Sequence, residues 1–188
     1  RNFLHGRGYQ EVETPMMQIQ AGGAAARPFI TRYEALNCSM YMRIAPELYL
    51  KRLLVGGFDK VFELNRNFRN EGLDRTHNPE FTMLELYEAY ADVRTMQKLI
   101  QDLITHVARE VFGALKIEIN GQILDLTTPY REASYHSLIR ERMGEDWFSL
   151  SLDAARRKAL AEGLDLAPDW GHLEITHEVY EKLIEKNL

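Results

Sequence analysis

KVFELNRNFRNE, residues 60–71, and PEFTMLELYEAYA, residues 79–91, decide the fold. Both alternate with period two, so successive side chains point to opposite faces of an extended chain. On the first stretch Phe62, Leu64 and Phe68 share one face, and Glu63, Asn65, Asn67, Arg69 and Glu71 the other. On the second, Phe81, Met83, Glu85 and Tyr87 share a face opposed to Thr82, Leu84, Leu86 and Glu88. Two such strands joined by residues 72–79 predict a long-looped antiparallel hairpin.

Upstream, Gln10 to Pro15 reads as extended chain leading into a Gly22-Gly23 loop, and two β-like stretches between Arg27 and Ile44 flank polar Glu34 to Ser39. Pro46 suits the start of a short helix whose Leu48, Leu50, Leu53 and Leu54 predict a buried face ending at Gly56-Gly57. The opening RNFLHGRGY reads as the end of a helix.

Downstream the period becomes 3.6. Val93, Met96, Leu99, Ile100, Leu103, Ile104, Val107, Val111 and Phe112 form an apolar stripe, with Asp92 as N-cap and Gly113 past the end. Lys116 to Leu126 predicts a small hairpin around Asn120-Gly121. Three helices are expected over Ser134–Met143, Leu152–Glu162 and about Leu173–Lys186, the first two stopped by Gly144 and Gly163. An antiparallel sheet with segregated helices is an α+β arrangement, and the lack of strictly alternating strands and helices excludes a doubly wound sheet.

Of the 188 residues, 45% are hydrophobic and 27% charged, which predicts an ordinary globular chain with one core. No apolar run spans a membrane and no leader pattern opens the chain, so a cytoplasmic protein is expected. Cys38 alone makes no intrachain disulfide, and His172 and His177 lie too far apart for one helical face. A net charge of −5 argues against a surface devoted to nucleic acid, although local basic patches remain possible.

A cationic fork, an acid and an aromatic converging on one sheet surface suit a nucleotide: Arg for phosphate, the ring for the base, the acid for an amine. The alternative is a solvated sheet face.

NFRNEGLDRTHNPEFTMLELY, residues 67–87, closely resembles motif 2 of class II aminoacyl-tRNA synthetases, and GYQEVETPMM, residues 8–17, resembles their motif 1. RPFITRYEALNCSMYMRIAPELYLKRLLVGGFDKVFE, residues 27–63, is similar to the lysine-specific branch. Neither signature of the class I enzymes is present. The resemblance implies a class II synthetase-like antiparallel β-sheet flanked by helices, truncated, with motif 1 over about 1–17, motif 2 over about 61–91 and a helical region at 127–188. It implies activation of L-lysine by ATP to lysyl-adenylate and transfer to tRNA(Lys), in a cytoplasmic homodimer contacting through Pro15.

Carried over by position, Arg69 would be catalytic, holding the ATP α-phosphate and the lysine carboxylate. Glu71 would hold the adenine amino group, Phe81 would stack on the ring, and His77 and Asn78 would lie near the phosphates. Glu85 with Tyr87 would take the lysine ammonium, since a buried cation needs a partner. Glu47 and the backbone at Gly23 would hold the α-amino group. Taken singly, Glu47 also reads as a first-turn helix acid, Gly23 as a turn residue, and Phe81 and Tyr87 as core aromatics. Motif 3 and the acidic ligands of catalytic Mg²⁺ are not found before Leu188, so they are expected beyond it, and the 188-residue polypeptide alone is expected to adenylate lysine poorly. Rival readings are a paralogue that lysylates elongation factor P and a non-catalytic synthetase-like module.

Overall fold

The computed structural model describes residues 1–188. In chain order the elements are α1 (Asn2–His5), β1 (Gln10–Glu11), β2 (Met17–Gln18), β3 (Ile30–Tyr33), β4 (Cys38–Met42), α2 (Glu47–Val55), β5 (Lys60–Phe68) and β6 (Glu80–Glu88). They are followed by α3 (Val93–Phe112), β7 (Lys116–Ile119), β8 (Gln122–Asp125), α4 (Tyr135–Met143), α5 (Leu152–Ala161) and α6 (His172–Val179).

The two alternating stretches form β5 and β6, which pair antiparallel along their whole length from Lys60↔Glu88 to Phe68↔Glu80. β1 adds to the far edge of β5 in parallel, Gln10 opposite Val61. A second sheet has the order β2-β4-β3, both pairings antiparallel. The β3–β4 connection is a 3-10 turn at Glu34–Leu36 closed by Asn37 in the left-handed region. In the third sheet, the β7–β8 hairpin, Asn120 and Gly121 both have positive φ, 52° and 79°, the requirement of a type I′ turn.

Burial falls into two separate clusters rather than the single expected core, and the chain divides into compact units of residues 1–128 and 129–188. In the first, Phe62 of β5 packs with Leu4, Tyr9 and Leu99. α3 is capped as predicted, the Asp92 carboxylate accepting the Thr95 N–H at 2.9 Å. Its stripe is nevertheless mostly exposed: Leu99 is buried, whereas Val93, Ile100, Ile104, Val107, Val111 and Phe112 face outward. Of the leucines expected to form a buried face on α2, Leu50 alone is fully covered.

In the second unit α4, α5 and α6 enclose Trp147, which is wholly buried and donates its indole N–H to Thr176 Oγ1 at 2.9 Å. The last predicted helix is not continuous. After Val179 the chain takes a π-helical turn over Tyr180–Ile184 and a 3-10 turn over Glu185–Asn187. The wider turn keeps Ile184, five residues beyond Val179, on the buried side with Ile175 and Val179.

Candidate active site

The β5–β6 register fixes what faces what. Glu63 stands opposite Glu85 and Asn67 opposite Phe81. This face is not solvated, because Glu63 and Asn67 are each 1% exposed. Beyond Phe68 the hairpin is held by the Arg69 N–H on the Pro79 carbonyl at 2.8 Å, so the loop between them leaves and returns at one point.

Inside that loop Asp74 organises the backbone. Its Oδ1 accepts the N–H groups of Thr76 and His77 at 2.7 and 2.8 Å, and His77 Nδ1 lies 2.8 Å from Oδ2. The Thr76 N–H foremost, with the His77 ring next, holds the Asp74 carboxyl well below the usual carboxylate range. The loop encloses a cleft of about 690 Å³. Arg69, Glu71, His77, Asn78 and Phe81, assigned to one nucleotide from the sequence, all line it. The Arg69 guanidinium lies over the Phe81 ring, 5.1 Å from its centre, and its Nε is buried with no partner. Glu71 accepts the backbone N–H of Arg27 at 3.3 Å.

The second predicted group gathers further along β6. The Tyr87 hydroxyl donates to Glu85 Oε2 at 3.0 Å. Burial above all pushes the Glu85 carboxyl up, opposed by the Tyr87 hydrogen bond, reinforced by the charges of Glu47 and Glu63 and countered by Arg43. Burial likewise raises the Tyr87 hydroxyl, with Glu85 and Glu47 adding to it. Glu47, in the first turn of α2, meets Lys51 at 2.5 Å. Gly23 is pressed against this helix start: with φ at 89°, an added Cβ would lie 2.9 Å from Glu47 Cβ and 3.1 Å from Ala45 Cβ. A glycine is required there by conformation and by space. Gly23 thus packs on Glu47, and Glu47 acts through its charge on the hydrogen-bonded Glu85–Tyr87 pair, so these four gather in one acidic cluster, while Arg69 lines the cleft at the hairpin mouth.

Pro15 stands apart from both groups, in the β1–β2 connection, where its carbonyl accepts from Gln18 Nε2 at 3.3 Å. No three of the His, Cys, Asp and Glu side chains converge as a metal site would.

Sequence reading passed over Arg43. Its guanidinium is fully buried and meets Glu63 at 2.6 Å, while its Nε donates to the Arg66 carbonyl at 2.8 Å. Thr14 completes the network, donating its N–H and hydroxyl to the two Glu63 oxygens at 3.1 and 2.6 Å. Only the polar character of the β5 face hinted at this cluster. Nothing in residues 38–46 marks Arg43 as buried.

Among known proteins, the family model described as tRNA synthetases class II (D, K and N) matches residues 1–177. The chain is 52% identical to the lysine–tRNA ligase of Pelotomaculum thermopropionicum, 49% to that of Syntrophomonas wolfei and 46% to that of Citrobacter koseri. Each match covers the whole chain and 38% of the relative, so the chain spans under two fifths of those proteins.

Proposed function

Because the chain belongs to the class II tRNA synthetases of the D, K and N group, we propose that the whole protein activates L-lysine with ATP and transfers the lysyl group to tRNA(Lys). The observation that carries this reading is the acidic pocket on the same strand face as the nucleotide-type cleft. Glu85 is half-buried and fixed by Tyr87, and no cation on the chain pairs with it, so a substrate ammonium is its natural partner. Phe81, four residues earlier on β6, lines the cleft with Arg69.

In the activating step a lysine carboxylate oxygen attacks the α-phosphorus of ATP. The bond from that phosphorus to the bridging oxygen breaks, and pyrophosphate departs with the electron pair. The nucleophile is already ionised at neutral pH, so no side chain has to remove a proton. The residues instead bring the reactants together and neutralise charge. Arg69 faces the α-phosphate and the carboxylate, where its planar fork opposes the charge that builds in the transition state. Phe81 stacks on the adenine, Glu71 accepts from its amino group, and His77 and Asn78 lie along the phosphates. Glu47, with the backbone at Gly23, takes the α-ammonium. The family uses ATP with Mg²⁺.

Glu85 also sets specificity, since an aspartate side chain would meet a like charge there and a neutral asparagine would leave Glu85 unpaired. No helix is long and apolar enough to cross a membrane. The protein works in the cytoplasm as a homodimer, with the segment around Pro15 at the contact between copies. The test is the amino-acid dependence of ATP–pyrophosphate exchange. Lysine supports exchange, and aspartate and asparagine do not. Exchange driven by either of the latter, or by no amino acid, overturns the reading.

A further inference from the structure

A buried ion pair is by itself weak support for either stability or function, because two apolar side chains of the same size often hold a fold equally well. The Arg43–Glu63 pair is 0% and 1% exposed, and its position is what gives it meaning. Glu63 is directly opposite Glu85 in the β5–β6 ladder, a placement in which two like charges oppose each other. An uncompensated Glu63 would drive a proton onto Glu85 and remove the charge that the pocket offers to an ammonium.

The groups facing Glu85 come from four places: Tyr87 on its own strand, Glu63 on β5, Arg43 just after β4, and Glu47 on α2. Glu63 is matched by Arg43 and Glu47 by Lys51. With Glu47 given to the α-ammonium, the charge on Glu85 is the one that remains for the side-chain ammonium. Arg43 is held for this task by its Nε on the Arg66 carbonyl and by Nη1 on Thr14 as well as on Glu63.

We infer that Arg43 is a positioning residue of the ammonium pocket: it locks Glu63 into a neutral buried pair, so that Glu85 keeps its charge for the substrate. The inference rests on the reading that this pocket takes lysine. Arg43 touches no substrate. It acts through the charge of Glu63.

The experiment compares wild-type whole protein with Arg43→Met, Glu63→Gln, the double variant Arg43→Met/Glu63→Gln and Arg43→Lys. The readouts are KM for lysine and for ATP in ATP–pyrophosphate exchange, and the pH dependence of the lysine KM. Arg43→Met moves the acid limb of the lysine profile to higher pH, so the lysine KM rises along that limb, and leaves the ATP KM in place. Glu63→Gln leaves Arg43 as a competing cation, so the lysine KM rises while the acid limb moves to lower pH. The double variant removes both charges and recovers lysine binding, and Arg43→Lys retains it. Where Arg43→Met fails to fold, Glu63→Gln against the double variant gives the same comparison. Limbs that do not move, or lysine and ATP constants that rise together without recovery in the double variant, overturn the inference and leave the lysine reading standing. Wild-type exchange that does not depend on lysine overturns both.

Discussion

The guanidinium carbon of Arg69 lies 5.1 Å from the centre of the Phe81 ring, across the mouth of the β5–β6 hairpin. On the proposed reading one aromatic has two tasks: it offers a face to a base and holds the arginine that meets the phosphate. Phe81→Ala removes both, so the ATP KM rises and kcat falls with it, each by about tenfold on the scale of a lost aromatic or cation–π contact of 1–2 kcal/mol. Phe81→Trp keeps both within a few-fold. Steady-state exchange kinetics check this, and an ATP KM that rises with kcat intact would mean that Arg69 does not depend on the ring.

Gly23→Ala places a methyl group 2.9 Å from Glu47 Cβ at a backbone φ of 89°. Such conformations cost non-glycine residues about 1–3 kcal/mol. Thermal unfolding should shift down accordingly. Displacement of Glu47 should also raise the lysine KM while sparing the ATP KM, which titrations of both substrates against this variant would measure.

The raised Glu85 carboxyl gives a pH dependence with two opposite signs. In the free protein the folded state holds this proton more readily than the unfolded chain does. The contribution of Glu85 to stability is therefore most favourable at low pH and declines as pH rises from the ordinary carboxyl value of 4.5 through the raised one. On the proposed reading lysine binding needs the ionised form and runs the other way, weakening as pH falls through that window. Calorimetric titration of lysine between about pH 4.5 and neutrality should show the loss, and a flat profile would remove Glu85 from the ammonium site.

In the second unit, Thr176→Val leaves the buried Trp147 indole N–H without its acceptor at 2.9 Å. An unsatisfied buried donor costs about 1–3 kcal/mol. Indole fluorescence during denaturation should report the loss, with lysine and ATP constants unchanged.

Much of this was legible in the chain. Period two defined β5 and β6 and put Phe81, Glu85 and Tyr87 on one face of β6, but β5 ends at Phe68, so Arg69 and Glu71, read as strand residues, lie in the loop that follows it. Asn120-Gly121 and the Asp92 and Gly113 caps are local signals, and each formed as local chemistry dictates. What could not be read depends on contacts between distant residues. Arg43 meets Glu63 across twenty positions and Thr14 across twenty-nine, and neither separation leaves a periodic trace. The stripe on α3 correctly foretold a helix but not its burial, because periodicity shows which side is apolar and not what covers it. The division at residues 128 and 129 carries no Gly- or Ser-rich linker, and it emerges only from where the two buried clusters form.

The most direct test of the central claim, that the hairpin carries an ammonium pocket beside a nucleotide cleft, is Glu85→Gln. The substitution preserves shape and a hydrogen-bond acceptor for Tyr87 while deleting the charge. We expect the lysine KM to rise by about 10- to 100-fold, the range for a charged hydrogen bond of 1.5–3 kcal/mol, with the ATP KM within about twofold. Lysine affinity that survives the change, or lysine and ATP constants that rise together, would contradict the account.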